Sequence, residues 1–315
     1  MNLQQLRYLH EIARRGLNIS EAAAALFTSQ PGVSKQVRLL EEELGVTIFE
    51  RSGKRLTGIT EPGRQVLDIV GRMLDDARNL KRVGEEYAGE ASGTLDVATT
   101  HTQARYLLPP VVKRFMARYP RVRLRLHQGN PHQVADWVVD GEADLGIATE
   151  ALASAPGLVT LPCYRWSHIL VVPRGHALDD SLPVTLARLA EWPLITYDPT
   201  FTGRARIDQA FERAGIAPNI VLTAVDSDVI KTYVELGLGI GIIAEMAFDP
   251  ARDAGLTAIA SEHLFEASTT RLGIRRGGWL RRFDYDFIEL FASHLSKRAV
   301  DMAMEGSGIN DEYQL

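Results

Sequence analysis

The chain has 315 residues, 45% of them hydrophobic, and a formal net charge of -5 at pH 7. This length predicts two or three domains. The acidic balance excludes a globally basic nucleic-acid coat, so any contact with DNA must come from a local patch. A single cysteine, Cys163, excludes a disulfide framework and a thiolate metal cluster. The first residues lack the apolar core of a signal peptide, and no stretch is long and apolar enough to span a membrane. We therefore expect a cytoplasmic protein without a membrane contact.

The stretch 19–49 predicts two short helices joined by a tight turn, behind a first helix that ends near Gly16. Ser20 is a candidate N-cap of the first of these two helices and Ser29 of the second, because short hydroxyl side chains accept hydrogen bonds from a first helical turn. Gly45 is placed to end the second helix. Its buried face is predicted to be an apolar stripe of Val33, Val37, Leu40 and Leu44. Together these features indicate a helix-turn-helix.

The opposite face of the second helix carries polar and basic side chains that reach phosphates and base edges when such a helix lies in the major groove. The acidic residues 41–43 follow, and we expect them to point away from DNA. Predicted strands at 47–49 and 56–58 then form a wing with three cations at its tip. The alternative, a solvated helical hairpin, explains less, because cap, turn, stripe and wing all agree. The predicted DNA-binding residues are Ser29, Gln30, Pro31, Ser34, Lys35, Arg38, Arg51, Lys54 and Arg55.

A long helix is predicted over 60–88, followed by a hinge-like break at 89–93. Apolar residues recur every seven positions along it, at Val66, Met73, Leu80 and Tyr87. The second seam position is filled by Ile69 or Val70 and by Ala77 or Val83. The opposite face is charged throughout, so we interpret the stripe as a dimerisation seam. The alternative is a core helix of one domain.

From residue 94 onward the pattern alternates between strands and helices, which predicts parallel α/β sheets. One helix is predicted over 107–119, with Pro109 and Pro110 near its start. The cysteine, Cys163, is predicted to be buried and inert. We find no catalytic constellation and no convincing metal spacing in the sequence, and hence expect neither an enzyme nor a cofactor. The late arginine pairs are predicted to form a solvated face: Arg275, Arg276, Arg281 and Arg282.

Two stretches, SQPGVSKQVRLLEEELGVTIFER and LTGITEPGR, resemble the LysR-type transcriptional regulators, and the order of elements agrees with that family over the full length of the chain. A third stretch, TTHTQARYLLP, resembles the CysB-like subgroup, which controls sulfur assimilation and sulfonate use. The shorter segments TEAL, CYRW, FTGR and DSDVIKTYVELGLGIGI are similar to the same subgroup.

This resemblance implies an α plus α/β fold in which a winged helix-turn-helix is joined by a linker helix to an effector domain of periplasmic-binding-protein type. The chain then crosses twice between two effector subdomains, near Cys163 and near Thr269. The implied boundaries are 1–59 for the DNA-binding domain, 60–88 for the linker helix, 89–93 for the hinge, 94–163 and 269–300 for subdomain I, 164–268 for subdomain II, and 301–315 for a loose tail.

The resemblance also implies an effector in the cleft between the subdomains, bound by Thr100, Thr102, Gln103, Thr149, Trp166 and Thr202. Thr100 and Thr102 lie where a strand is predicted to end and a helix to begin, and backbone N–H groups at a helix N-terminus bind anions. A single threonine at such a position is more often a helix cap or a strand residue than a ligand-binding residue. The prediction therefore depends on the six residues taken together. Hydroxyls, an amide and an indole suit fully ionised sulfate, whereas phosphate keeps a proton and needs an acceptor. Trp166 could cover the acyl part of a larger ligand.

The implied partners are double-stranded promoter DNA, RNA polymerase and a small effector, with a homotetramer built as a dimer of dimers. Candidate effectors are sulfate, thiosulfate, O-acetylserine, N-acetylserine and adenylyl sulfate. A regulator with an unrelated small-anion effector and a solute-binding protein remain as alternatives. The second needs a signal peptide and has no use for residues 29–55.

Overall fold

The computed structural model describes residues 1–53, 55–87, 91–178 and 183–306, with the side chain of Thr202 left out. The chain divides into two compact units, Met1–Gly84 and Glu85–Leu315. Across the described residues, none of the helices combines the length and apolarity that a membrane span requires.

The helices are α1 (Leu3–Arg14), α2 (Ile19–Ala25), α3 (Gln30–Leu44), α4 (Glu61–Tyr87), α5 (Leu108–Arg118), α6 (Pro131–Val139), α7 (Leu186–Leu189), α8 (Thr202–Ala214), α9 (Ser227–Glu235), α10 (Arg282–Phe291) and α11 (Lys297–Met304). The strands are β1 (Phe49–Ser52), β2 (Arg55–Ile59), β3 (Gly93–Thr99), β4 (Val122–Gln128), β5 (Leu145–Ala148), β6 (Leu158–Trp166), β7 (His168–Pro173), β8 (Leu194–Tyr197), β9 (Ile220–Ala224), β10 (Ile240–Ala244), β11 (Leu256–Ala260) and β12 (Ser268–Arg275).

The first unit confirms the predicted helix-turn-helix. Ser29 caps α3 by accepting the Gly32 N–H at 3.3 Å, and Gly45, in the left-handed conformation at φ 69°, ends that helix. The predicted cap of α2 is wrong, because Asn18 accepts the first N–H groups and Ser20 lies inside the helix. The predicted stripe of α3 is buried except at its end, where Leu44 is exposed.

One apolar core holds the first unit together. It joins α1, α2, α3 and the wing through buried residues such as Leu9, Val33 and Phe49. The first half of α4 also belongs to this core, since Val70 and Leu74 are buried in it. The wing is the antiparallel pair β1–β2, and β1 begins at Phe49, two residues later than the predicted strand.

The second unit contains two five-stranded sheets, which confirms the predicted α/β class. The prediction of parallel sheets is wrong in part, because β12 pairs antiparallel with β5 and β6, and β7 pairs antiparallel with β10 and β11. Sheet I has the order β4-β3-β5-β12-β6 and sheet II the order β11-β7-β10-β8-β9. Strands β6 and β12 pair antiparallel as far as Trp166 and Ser268, so the chain leaves sheet I after Trp166 and returns to it at Ser268. The first crossing therefore lies three residues later than predicted near Cys163, because strand pairing continues to the end of β6.

The helix after β3 begins earlier than predicted. The chain is helical from His101, and Gln103–Leu107 forms a π-helical segment ahead of α5. Pro109 and Pro110 have no N–H and crowd the carbonyl groups of the preceding turn. The wider π turn relieves that conflict, and such segments are frequent at functional sites.

Two predictions for the end of the chain are wrong. Residues 301–304 belong to α11, which Val300 anchors in the core, while 307–315 lie outside the described residues. Arg281 is 3% exposed and binds Asp144 and Asp284, so it is an ion-paired interior residue and not part of a solvated face. Arg275 is buried as well.

The prediction that Cys163 is buried is confirmed, and burial raises the pKa of its thiol to about 12.

Candidate DNA-binding surface and effector site

The polar face of α3 stands in solvent. Gln30, Lys35 and Arg38 are exposed and Ser34 is half-buried. The apolar stripe on the other side fixes this orientation, because it is buried against α1 and α2. Ser29 and Pro31 open the helix on the same exposed end. The structure thus leaves the predicted readout face of α3 accessible to a groove.

Arg51, one of the three cations of the wing, is paired with an acidic residue of α3. Its guanidinium lies 2.8 Å from the Glu41 carboxylate, which also accepts the N–H groups of Ile48 and Phe49 at 2.9 Å and 3.1 Å. Arg51 therefore fastens the wing to α3, and its contact with DNA phosphate stays a prediction. Arg55 is exposed, and Lys54 lies outside the described residues.

The predicted seam of α4 divides into two parts. Val66 and Met73 are half-buried against the core of the first unit, where the alternative of a core helix applies. Leu80 and Tyr87 are 74% and 83% exposed. The second half of the stripe is therefore the part most accessible to a partner.

A small cavity of about 30 Å³ lies between sheet I and sheet II. It is lined by Thr100, Thr102, Gln103, Pro131, Thr149, Trp166, Tyr197, Phe201, Gly203 and Ala244. Five of the six predicted effector residues are in this lining, and the side chain of the sixth, Thr202, is outside the described part. Since one water needs about 10–15 Å³ by this measure, the space suits a ligand of a few heavy atoms.

Two hydrogen-bonding atoms in the lining are buried and lack a partner within the described residues: Thr149 Oγ1 and Trp166 Nε1. Buried polar atoms in folded proteins are nearly always hydrogen-bonded, so these two indicate a missing acceptor. An indole N–H can only donate. The described lining includes no charged side chain.

Helix α8 points its N-terminus at the same cavity. Its N-cap is Phe201, whose side chain cannot accept a hydrogen bond, and Gly203 in its first turn lines the cavity. A Cβ on Gly203 would come 3.2 Å from His168 Nε2 and 3.3 Å from the Trp166 ring, so glycine allows the helix to approach this closely. Uncapped N–H groups at a helix N-terminus attract anions.

Sequence reasoning missed the residues that hold the lining in place. Gln103 donates from Nε2 to Thr270 Oγ1 at 3.2 Å, and the Tyr164 hydroxyl donates to Gln103 Oε1. On the other side, the Tyr197 hydroxyl accepts the Ala244 N–H at 2.8 Å, and burial raises the Tyr197 pKa. Tyr164 falls within the CYRW segment that resembles the subgroup, but nothing in that pattern gave it a role.

Contacts next to the cavity link the two subdomains directly. In the first turn of α9, Asp228 accepts from the Tyr106 hydroxyl at 2.7 Å and from Arg105 Nε at 3.2 Å. Burial raises the Asp228 pKa, but these donors and Lys231 outweigh it and leave the pKa below its usual value. The ligand atoms of His101, Asp226 and Asp228 lie within 4.8 Å of one another, which would suit a metal ion. However, the Asp228 carboxylate is already engaged by these donors.

Residues 3–64 match the family model described as a bacterial regulatory helix-turn-helix protein of the lysR family, and residues 88–296 match the LysR substrate binding domain. The chain belongs to the LysR family of transcriptional regulators. It is therefore a regulator that binds promoter DNA and a small effector, and not an enzyme, as the sequence predicted.

Two full-length relatives place the chain more narrowly within this LysR family. The HTH-type transcriptional regulator SsuR of Burkholderia cenocepacia is 57% identical over 300 residues, which cover 95% of this chain and 97% of that protein. The regulator CysB of the same organism is 50% identical over 315 residues, covering 100% of both chains. The crystal structure of the cofactor-binding domain of the Cbl transcriptional regulator matches with a TM-score of 0.65 and 49% identity, covering 68% of this chain and 94% of that one. The predicted resemblance to the CysB-like regulators of sulfur metabolism is confirmed.

Proposed function

We propose that this LysR-type regulator controls genes for cysteine biosynthesis and for sulfate or sulfonate assimilation, and that it reads a small sulfur-related anion in the cavity between its sheets. The observation that carries the proposal is the pair of buried donors without a described partner, Thr149 Oγ1 and Trp166 Nε1, which face a neutral cavity. The similarity to SsuR and CysB supports the sulfur context. A DNA-binding regulator of this kind acts in the cytoplasm.

The size of the cavity favours the smaller candidates. About 30 Å³ is nearer to the size of sulfate or thiosulfate than to that of adenylyl sulfate, whose nucleoside would have to extend beyond this space. O-acetylserine and N-acetylserine are intermediate, and they would need the subdomains to open further. Sulfate is therefore the effector that we favour.

The chemistry of the lining also favours sulfate. Fully ionised sulfate accepts hydrogen bonds at all four oxygens, and hydroxyl, indole and backbone N–H groups can all donate. Thr100, Thr102, Gln103, Thr149 and Trp166 would supply side-chain donors, and the first turn of α8, where Thr202 lies, would supply N–H groups. Hydrogen bonds to an ionised group are roughly twice as strong as neutral ones, so the site needs no cation.

Calorimetry on the full chain with sulfate, thiosulfate, O-acetylserine, N-acetylserine and adenylyl sulfate tests this proposal. We expect sulfate to bind, and Thr149→Val to lose at least tenfold in affinity because it removes a donor without changing volume. The matched control is Thr257→Val, which makes the same replacement on the edge strand β11 away from the cavity. If sulfate and thiosulfate both fail to bind while another small anion does, the regulator has an unrelated effector and the sulfur proposal is wrong.

We further propose a homotetramer in which α4 pairs two chains through Leu80 and Tyr87, and the effector domains pair separately. Exposed apolar side chains on β9 and α9 and directly after each of them support the second contact: Val221, Val225, Val229, Tyr233 and Leu236. Because β9 is an edge strand of sheet II, this surface is available to a second copy. The assembled regulator would contact promoter DNA and RNA polymerase together.

A further inference from the structure

Three side chains form a hydrogen-bonded ring behind the cavity wall. Gln103 is 2% exposed and lines the cavity, and Thr270 is fully buried. Gln103 Nε2 donates to Thr270 Oγ1 at 3.2 Å, and the Tyr164 hydroxyl donates to Gln103 Oε1. A hydrogen bond between Thr270 and Tyr164 closes the ring. Tyr164 and Thr270 are direct cross-strand partners on β6 and β12, so the pairing of these strands places both beside the amide.

The partners in the ring fix which amide atom of Gln103, the nitrogen or the oxygen, can contact a ligand. An amide has two N–H donors and one carbonyl oxygen, and its two ends are nearly the same size, so only its partners orient it. The Tyr164 hydroxyl engages the oxygen, and Thr270 takes one of the two N–H groups. Burial raises the pKa of Tyr164, which keeps the hydroxyl protonated and able to donate. One amide N–H is left for a ligand.

We propose that Tyr164 and Thr270 are positioning residues that fix the Gln103 amide so that it offers a donor to the effector, and that this makes the site prefer a fully ionised anion over a protonated one. This inference rests on the proposed function of the cavity as an anion site. Sulfate, with four acceptor oxygens, matches the donor. Hydrogen phosphate carries an O–H that needs an acceptor, and the Gln103 oxygen that could supply it is held by Tyr164.

Removing the Tyr164 hydroxyl tests the assignment. In Tyr164→Phe the amide oxygen loses its partner, so the amide can rotate and present either end to the cavity. We expect the affinity for sulfate to fall about tenfold. We expect the affinity for inorganic phosphate to stay constant or rise, so that the sulfate-to-phosphate ratio narrows at least tenfold. Calorimetry with each ion on the full chain at pH 7 gives both affinities.

Three further variants separate positioning from packing. Tyr285→Phe removes a tyrosine hydroxyl that donates to Asp301 at 2.5 Å, away from the cavity, and should leave the ratio unchanged. Thr270→Val should narrow the sulfate-to-phosphate affinity ratio as Tyr164→Phe does. Thr270→Ser keeps the hydroxyl and should therefore have the wild-type ratio. Thr270→Val also keeps the test decisive if Tyr164→Phe does not fold.

The outcomes distinguish this inference from the function on which it rests. Wild-type protein that binds sulfate, with variants that weaken both anions equally or neither, would overturn the positioning role and leave the effector site standing. Wild-type protein that binds neither anion would overturn the proposed effector class, and the positioning role with it. A lower melting temperature at constant ratio would show that the ring is only structural, which also overturns the inference.

Discussion

The Tyr106 hydroxyl donates a 2.7 Å hydrogen bond to Asp228 across the cleft between the two effector subdomains. Tyr106 lies in the π-helical segment after β3, and Asp228 lies in the first turn of α9. This contact belongs to the arrangement that encloses the cavity. A ligand shifts the balance between arrangements only by its differential affinity for them, so a contact made in one arrangement contributes to ligand binding without touching the ligand.

We therefore expect Tyr106→Phe to weaken sulfate binding about tenfold, because a hydrogen bond to a charged partner is worth about 1.5 kcal/mol. The change should appear in calorimetry, while saturating sulfate still alters the DNA footprint. Tyr285→Phe is the matched control, since it removes a tyrosine–aspartate bond within one subdomain. Unchanged affinity in Tyr106→Phe would show that this link plays no part in closure.

Arg38 is exposed on the face of α3 that we predict enters the major groove. Arg38→Ala should weaken binding to a specific promoter by about 1–3 kcal/mol, the value of a good base contact, with a much smaller effect on unrelated DNA. Footprinting on both sequences measures the difference. An intact specific footprint would mean that another face of the domain reads the sequence.

The two wing arginines should behave differently. Arg55 is exposed, so Arg55→Ala should weaken all sequences alike and lower the slope of log affinity against log salt by about one. Arg51 is paired with Glu41, so Arg51→Ala should cost about 1–2 kcal/mol of unfolding free energy and leave the salt slope nearly unchanged. Salt titrations and urea unfolding of both variants check this, and a salt slope reduced by Arg51→Ala would argue for a direct phosphate contact.

The exposed end of α4 allows a clean test of assembly. Replacing both Leu80 and Tyr87 with Asp should split the α4 pairing, because the seam would have to bury charges, and should leave the fold intact because both positions are exposed. Met73→Asp should instead destabilise the first unit, because the half-buried Met73 packs against its core. Light scattering and thermal unfolding distinguish the two effects. An unchanged oligomer in the double variant would rule out this seam.

His168 should make stability depend on pH. Burial lowers its pKa to about 4, against about 6.5 in an unfolded chain, so its contribution is fully present above pH 6.5 and is lost as pH falls toward 4. Between pH 7 and pH 5 this loss amounts to about 2 kcal/mol. Urea unfolding of wild type and His168→Gln at pH 7 and pH 5 measures how much of the loss in unfolding free energy comes from His168. His132→Gln, at an exposed position, is the control. Equal pH dependence in wild type and His168→Gln would contradict the prediction.

Local signals made the DNA-binding domain predictable. Ser29, Pro31 and Gly45 each act through the backbone of their own turn, so the sequence suffices to place α3. The same reasoning failed for α2, because Asn18 and Ser20 are both good caps two positions apart. The heptad pattern of α4 predicted an apolar face correctly. It could not show that Met73 packs against its own domain. A core contact within one chain and a seam between two chains would both bury the same side chain, so the pattern is the same in either case.

The effector site was less accessible to sequence reasoning. Its threonines came from the resemblance to the CysB-like subgroup, and strand ends followed by helix starts gave them a physical reason. Tyr164 and Thr270 lie 61 and 167 residues from Gln103 in the chain, and only the pairing of β6 with β12 brings them together. Arg281 was misjudged for the same reason, because one of its carboxylate partners, Asp144, is 137 residues away.

The cavity is lined by neutral groups, and this affects what the regulator can sense. None of the described lining side chains is acidic, basic or an imidazole, and burial raises the pKa of the one phenol among them. Sulfate itself stays doubly charged at pH values around neutral. With sulfate as the proposed effector, a change of acidity around neutral pH alters neither the ion nor the side chains that line the cavity. Such a sensor would separate a nutritional signal from the fluctuations in acidity that accompany metabolism.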